Sequence, residues 1–272
     1  MDSIVLGDAL ATSFTDIMHH AGELALGYFN QGAKTSAEVT TKPGGSPVTE
    51  ADFLVDRYLK EKLEALVPQA AWLSEETADT DARLSNGLVL IVDPIDGTRG
   101  FVNGDATWAI AVGLIADGRP ILGVIHAPAL KETYVAMKDQ GAFLNGRRIA
   151  VSKRPSLDAE ARVSGPSGLA SMLKSAGVEF NLQPKIPSLA MRIARVASGD
   201  LDAAFASEHA HDWDIAAADL ILHEAGGVLS GLADGPLIYN RSDTRHGLLT
   251  AAPEQIHAEL NGAFRRAKAA AH

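Results

Sequence analysis

Cysteine is absent from this 272-residue chain. That excludes disulfide staples, a Cys₄ zinc site, an iron–sulfur cluster and a thiol nucleophile. It fits a reducing compartment. Long hydrophobic runs are missing too: no segment reaches the roughly 18 apolar residues that span a bilayer. The amino terminus, MDSIVLGDAL, carries Asp2 and Asp8 and lacks the basic region of a secretory signal. The expectation is a soluble cytoplasmic protein with no membrane partner. Positive charge is in deficit, with Lys+Arg 24 against Asp+Glu 34 and a formal net charge of -10. A protein that wraps nucleic acid needs the opposite sign, so no nucleic acid polymer is expected as partner. No G-x-x-x-x-G-K-[ST] loop occurs, which excludes a P-loop NTPase at motif level, and the nine His form no HExxH pattern.

What remains is ordinary globular material, 46% hydrophobic and 21% charged, with enough length for one large domain or two fused subdomains. Apolar residues at Leu10, Phe14, Ile17, Leu24 and Tyr28 predict a helix over Asp8 to Asn30. A polar stretch rich in Gly and Pro runs from Gln31 to Ser46. A second helix starts near Thr49 and ends at Pro68, with Val55, Leu59, Leu63 and Leu66 on its inner face. Leu88-Val89-Leu90-Ile91-Val92 predicts a strand buried on both sides. Strands around 108–115, 121–125, 133–137 and 143–149 follow, with hairpin turns at Asp117-Gly118 and Asn145-Gly146. The second half is richer in Ala. Helices are expected over Ser188–Ser198, Trp213–Ala225 and Glu254–Ala271, with Gly199 and Gly226 just past the first two. Short strands are expected at Val228–Leu229 and Leu248–Ala251. The expected fold class is α/β (α+β) in layers. The chain divides into residues 1–151, helices plus an antiparallel-rich sheet, and residues 152–272, an α/β subdomain, with the site between them.

Four acidic segments carry the chemical information. Asp93-Pro94-Ile95-Asp96-Gly97-Thr98 directly follows the buried strand, so Asp93 emerges at its carboxyl end, where open α/β sheets favour ligand sites. Two acids three residues apart converge if the turn between them is helical. Mg²⁺ prefers several such oxygens. The N–H groups of Gly97 and Thr98, at an expected helix start, suit a phosphate. The same residues also suit a plain turn and helix cap. Trp72-Leu73-Ser74-Glu75-Glu76-Thr77 offers Glu75 as a further carboxylate, or as a solvated acidic cap. In Thr49-Glu50-Ala51-Asp52 the spacing is that of a capping box, which accounts for Thr49 and in part for Asp52. His211-Asp212-Trp213-Asp214 opens a helix, where Asp214 is favourable on electrostatic grounds alone.

Taken together and in this order, VTEAD, WLSEE, VDPIDGTRGF and WDIAAADLILHEAGG resemble the inositol monophosphatase family of Mg²⁺-dependent, lithium-sensitive phosphatases; GAFLNGRRI is similar as well. The resemblance runs from about Lys42 to Val228. It implies a layered αβαβα sandwich, a homodimer, and two or three Mg²⁺ ions. It implies metal ligation by Glu75, Asp93, the Ile95 carbonyl, Asp96 and Asp214. Asp52 and Thr98 match the pair that orients and activates the attacking water, with Glu75 counted in the catalytic set. Gly97 and Thr98 match the phosphate cradle. The implied partner is a small phosphorylated substrate.

The substrate is narrower ground. Lys42-x-x-x-Ser46-Pro47-Val48-Thr49-x-Ala51-Asp52 is more similar to bisphosphate nucleotidases and histidinol-phosphatases than to animal inositol monophosphatases. Inositol-specific members place a Glu seven residues before the metal Asp. Here Ser207 stands there, with Glu208 one step off. Arg192, on the helix headed by Ser188, lies near a nucleotidase Lys and suits a second phosphate or an exposed helix face. Lys42, Ser188, Arg192 and Glu208 are therefore candidate substrate contacts, and Arg99 either assists an anionic substrate or faces solvent. The expected reaction is hydrolysis of a 3'(2'),5'-bisphosphate nucleotide or an inositol monophosphate. Histidinol-phosphate or sugar phosphatase activity is the alternative. A non-catalytic metal- or phospholigand-binding scaffold and a covalent aspartyl-phosphatase compete, although the latter uses Asp-x-Asp and this chain has Asp-x-x-Asp.

Overall fold

The computed structural model describes residues 7–233 and 235–270, with nothing described for the side chain of residue 270. Asp2 and the last residue of the expected tail helix, Ala271, lie outside the described residues. Helix α1, Asp8–Leu26, is shorter than the apolar spacing predicts, because its chain turns off before Tyr28. The strands β1 (Val39–Thr41) and β2 (Pro47–Thr49) form an antiparallel hairpin inside and just beyond the polar stretch. Helix α2, Glu50–Leu66, starts on a capping box: the Thr49 side chain receives the Asp52 N–H and Asp52 receives that of Thr49.

The next strands are β3 (Ala71–Ser74) and β4 (Leu88–Asp96), followed by the short helix α3 (Thr98–Val102). Then come β5 (Ala109–Ala116), β6 (Arg119–Ala127), β7 (Glu132–Met137), β8 (Gly141–Leu144) and β9 (Arg147–Arg148). These seven strands form one sheet in the order β3-β4-β5-β6-β7-β8-β9, antiparallel except for β3 with β4. The second half adds β10 (Arg162–Ser164), helix α4 (Ser167–Ser175), β11 (Asn181–Leu182), helix α5 (Leu189–Ala197), β12 (Ala203–Ala206) and β13 (Ala210–His211). It closes with helix α6 (Asp212–Glu224), β14 (Gly227–Gly231), β15 (Arg245–His246), β16 (Leu249–Pro253) and helix α7 (Glu254–Ala270). A five-stranded sheet has the order β11-β10-β12-β16-β14, and β13 pairs with β15 alone.

The side chains of the large sheet sort by parity. Leu90, Val92, Ile110, Val112 and Leu114 join Phe14, Met18, Val55 and Leu59 in one core, beneath α1 and α2. Val89, Ile91, Ala109 and Ala111 face the opposite way, into a second core with α5, α6 and the inner side of the smaller sheet. A third core lies on the far side of that sheet, where Val163, Ala203 and Phe205 meet α4 and α7. Period-two alternation thus yields five layers, α1/α2, sheet, α5/α6, sheet, α4/α7. The central helices sit close to the large sheet because Gly113 and Gly123 pair under α6; a Cβ on Gly123 would stand 2.7 Å from the Ala217 carbonyl oxygen. This close approach fixes where the amino end of α6 emerges.

One buried histidine gives the fold a measurable pH dependence. His126, on β6, shares the Thr133 hydroxyl with His19 of α1, each ring nitrogen 3.0 Å from Oγ1. Burial first, and then the facing His19, push His126 down to about 4. The folded value lies below the ordinary 6.5, so the unfolded chain binds the extra proton between those limits. Stability from this group is complete above pH 6.5 and is lost as pH falls through 4, by at most about 3 kcal/mol. His126→Asn should therefore have a flatter denaturant midpoint than the parent between pH 7 and pH 4.5. Parallel curves for the two proteins would remove the assignment.

Candidate active site

Asp93 and Asp96 reach a common point by a route other than a helical turn. Strand β4 continues through Pro94 to Asp96, and its pairing with β5 breaks register between Asp93 and Asp96. That irregularity brings both acids to one side, because the extra residue reverses the alternation. Gly97 then takes φ 90°, which lets the chain turn into α3. Asp214 comes from the first turn of α6, where Oδ2 also accepts the His211 N–H at 2.6 Å. Among the described residues, ligand oxygens of Asp93, Asp96 and Asp214 lie within 4.8 Å of one another.

Each of the three is held differently. Asp96 Oδ2 accepts the Ser188 hydroxyl at 2.5 Å and the Ala190 N–H at 2.6 Å, and Oδ1 lies 3.2 Å from the Leu189 nitrogen. Its carboxylate therefore sits on the amino end of α5, a helix 92 residues further along the chain. Asp93 Oδ1 accepts the Ile95 N–H at 3.0 Å, while Oδ2 is buried with no hydrogen-bond partner. Burial, followed by the charges of Glu75, Asp96 and Asp214, lifts Asp93 well above the ordinary carboxylate range. Burial and Asp96 lift Asp214 in the same direction. Burial raises Asp96 to about 6 against the three hydrogen bonds that favour its charge. Three crowded carboxyls and an orphaned buried oxygen are the donor set a hard divalent cation satisfies.

Asp52 stands on the other side of Thr98. Its Oδ2 accepts the Thr49 hydroxyl at 2.6 Å and the Thr49 N–H at 2.8 Å. The Thr98 hydroxyl oxygen lies 3.3 Å from Asp52 Oδ1 and 3.0 Å from the Ile95 carbonyl oxygen. Its single proton serves one of these at a time. Burial raises Asp52 to about 6, opposed by the Thr49 bonds.

The remaining candidates are placed as follows. Glu75 follows β3 and is not within the trio's 4.8 Å; its Oε1 is 2.8 Å from Lys42 Nζ, which also pairs with Glu76 at 2.6 Å. Arg192 is buried, with its terminal nitrogens on the Ile186 and Phe205 carbonyls. Glu208 is exposed and pairs with Lys268 of α7 at 2.8 Å. Arg99 donates to the Gly45 carbonyl of the β1–β2 turn. Sequence reasoning missed Glu76 and the tie from Ser188 to Asp96; for Ser188 the available signal was its position at the head of α5, where it accepts the Met191 N–H at 3.0 Å. A cavity of about 880 Å³ lies away from the trio, between α1 and β6–β8.

Ser188→Ala removes a helix cap and one of the three bonds on Asp96. It should cost about 1–2 kcal/mol of stability. Turnover should fall about 10- to 100-fold, because Asp96 loses its strongest support. Thermal denaturation and phosphate release measure the two effects separately.

The sequence matches the inositol monophosphatase family over residues 9–269. The chain belongs to that family. It is accordingly a phosphoric monoester hydrolase. Among curated relatives, the 3'(2'),5'-bisphosphate nucleotidase CysQ of Aggregatibacter actinomycetemcomitans is 32% identical over 251 residues, 88% of this chain and 91% of that protein. Inositol monophosphatase 2 of Saccharomyces cerevisiae is 35% identical over 202 residues, 68% of this chain and 69% of that protein. Of solved structures, the IMPase of Thermotoga maritima superposes with TM-score 0.80 at 27% identity, covering 96% of this chain and 98% of the other. The fold of this inositol monophosphatase family member is thus the αβαβα sandwich of its relatives. No helix among the described residues is long and apolar enough to cross a membrane.

Proposed function

We propose that the chain hydrolyses a small phosphate monoester in a Mg²⁺-dependent reaction, with 3'(2'),5'-bisphosphate nucleotides or inositol monophosphates as substrates. The observation that carries this is the convergence of buried Asp93 and Asp96 with half-buried Asp214, and the unsatisfied Asp93 Oδ2. Asp93, Asp96, Asp214, the Ile95 carbonyl and Glu75 would hold two or three Mg²⁺ ions. When bound, these supply neutralisation of phosphoryl and leaving-group charge and acidify water. The protein's own share is positioning and proton transfer, which is most of what phosphoryl transfer needs. Thr98 Oγ1 and Asp52 Oδ1 orient the attacking water. Asp52, raised to about 6 and held by Thr49, is matched to accept its proton near neutral pH. The water oxygen bonds to phosphorus as the P–O ester bond breaks, the leaving oxygen takes up a proton from solvent water, and Asp52 returns its proton to solvent. Gly97 and Thr98 present backbone N–H groups towards the phosphate.

The nucleotide reading is favoured over inositol because Ser207 stands where inositol-specific relatives have Glu, and the carboxylate of Glu208 is committed to Lys268. Histidinol phosphate and sugar phosphates remain the alternative class. The same reading makes the protein a cytoplasmic homodimer, with residues 1–151 supplying Glu75, Asp93 and Asp96 and residues 152–272 supplying Ser188 and Asp214. The test ranks phosphate release from adenosine 3',5'-bisphosphate, inositol 1-phosphate and histidinol phosphate, with Mg²⁺ and with chelator. Release from the first, abolished by chelator, is expected. No release from any ester with Mg²⁺ present would favour a binding scaffold instead. Light scattering tests the dimer.

A further inference from the structure

The turn that presents Asp214 is held from behind by a loop that the chemistry above does not use. Asp212 and Asp214 both lie in the first turn of α6. Two residues apart on a helix, they project about 200° apart around its axis. Asp214 turns to Asp93 and Asp96, and Asp212 turns to residues 239–246, which end in β15. Asp212 is wholly buried, and both its oxygens are taken. Oδ1 lies 2.7 Å from His246 Nε2, and Oδ2 accepts the Asn240 N–H at 2.8 Å. A carboxylate only accepts, so Nε2 is the ring nitrogen that donates. The Asp212 N–H donates to the Thr244 carbonyl at 3.0 Å, and His211 Nδ1 lies 2.7 Å from Thr244 Oγ1. The β13–β15 ladder pairs Ala210 with His246 and His211 with Arg245. An acid that merely favours a helix start needs no such partners, since the helix dipole acts on an exposed carboxylate as well.

The loop is in turn tied to the segment between β3 and β4. Arg83, whose side chain is 1% exposed, lies in that segment after Glu75. Nε and one terminal nitrogen each donate to an Asp79 oxygen at 2.7 Å. The other terminal nitrogen donates to Asn240 Oδ1 at 2.7 Å, and Asn240 Nδ2 returns a bond to the Arg83 carbonyl at 3.2 Å. Asn240 has φ 58°, a left-handed conformation that Asn tolerates. The chain Asp79–Arg83–Asn240–Asp212 thus runs from the stretch that carries Glu75 to the turn that carries Asp214.

We propose that Asp212 and His246 are positioning residues for Asp214. Their bond, with those from Asn240 and Thr244, fixes the backbone of His211 and Asp212. The His211 N–H then meets Asp214 Oδ2 at 2.6 Å and holds that carboxylate towards Asp93 and Asp96. Through Asn240 and Arg83 the same brace keeps the turn in register with the Glu75 segment. The proposal rests on the metal-dependent reading above. It concerns how tightly the site holds its ion, and both residues act through Asp214 rather than on the phosphate.

Calorimetry with Mg²⁺ alone, and no substrate, tests this. Asp212→Ala should bind Mg²⁺ about tenfold or more weakly than the parent, the scale on which partners of metal ligands act. His246→Ala should weaken binding similarly, and the double variant should be little worse than either, because both remove one bond. Asp212→Asn removes the same charge but keeps both contacts: Oδ1 accepts from Asn240, and Nδ2 donates to His246 Nε2 once the ring proton moves to Nδ1. It should bind close to the parent. Asn240→Gly keeps the left-handed backbone and its N–H, cuts the tie to Arg83 without changing charge, and should also weaken binding. With adenosine 3',5'-bisphosphate, the Mg²⁺ concentration for half-maximal phosphate release should rise in Asp212→Ala and Asn240→Gly, while KM at saturating Mg²⁺ stays that of the parent. If both variants melt earlier yet bind Mg²⁺ as the parent does, the brace serves the fold alone and the proposal is overturned. Equal weakening by Asp212→Asn and Asp212→Ala would overturn it too, because charge and not geometry would be the cause. A parent that binds no Mg²⁺ would overturn the metal-dependent reading itself, and the brace with it.

Discussion

Asp93→Asn should lower phosphate release by about 10³-fold or more while the protein remains folded. The size follows from where Asp93 stands. It is 1% exposed, and Oδ1 is already taken by the Ile95 N–H. Oδ2 is the one buried carboxyl oxygen of the trio with no partner. Asparagine keeps the bond from Ile95 but removes the negative charge that faces Asp96 and Asp214. The same change should therefore stabilise the protein in chelator, by about 1–3 kcal/mol, because an unpaired buried charge is costly. Added Mg²⁺ should reverse the order, since an ion that binds only the folded parent stabilises it by mass action, about 2.7 kcal/mol at a hundred times Kd. Denaturation curves of both proteins with chelator and with Mg²⁺ form the check. Unchanged phosphate release in Asp93→Asn would remove the shared-carboxylate site altogether.

The parts of this site that were legible in the sequence are those set by local rules. The run 88–92 announces a buried strand because nothing polar interrupts it, and Asp93 follows directly. Thr49 with Asp52 announces a helix start because capping is a matter of three-residue spacing. The resemblance supplied the grouping of the acids; spacing alone left each one explicable as a cap. What stayed illegible is tertiary. The register break at Pro94 replaces the helical turn expected between Asp93 and Asp96, and only the pairing of β4 with β5 reveals it. Strand β3 is four residues without alternation or a long apolar run. Strand β12 is Ala203-Ala204-Phe205-Ala206, whose alanines favour a helix until the core with α5 and α6 takes up Ala204 and Ala206 and the core with α4 and α7 takes up Ala203. The ties of Ser188 to Asp96 and of Lys42 to Glu75 join residues that no local pattern relates.

Gly97→Ala should be strongly damaging for so small a substitution, because two separate constraints meet at that residue. Gly97 has φ 90°, a backbone region that an L side chain enters at a cost of about 1–2 kcal/mol. An added Cβ would also stand 2.9 Å from the Ser188 backbone nitrogen and 3.1 Å from its Cα, neither of which can swing aside as a side-chain tip can. Overpacking of that kind costs a further 1–3 kcal/mol or so. The expected loss is about 3 kcal/mol, read from denaturant midpoints. The contact partner makes the effect functional as well as structural. Ser188 supplies its hydroxyl to Asp96 and heads α5, whose next two N–H groups also face that carboxylate. Pushing Ser188 away by a few tenths of an ångström therefore moves Asp96 relative to Asp93 and Asp214, and such displacement costs rate, rising to about 10²-fold as it approaches about 1 Å. Gly97→Ala should accordingly lose more activity than Ser188→Ala, although it deletes no polar group. If it were instead as active as the parent, the placement of Asp96 by the start of α5 would have no bearing on turnover, and the close approach of Gly97 to Ser188 would serve packing alone.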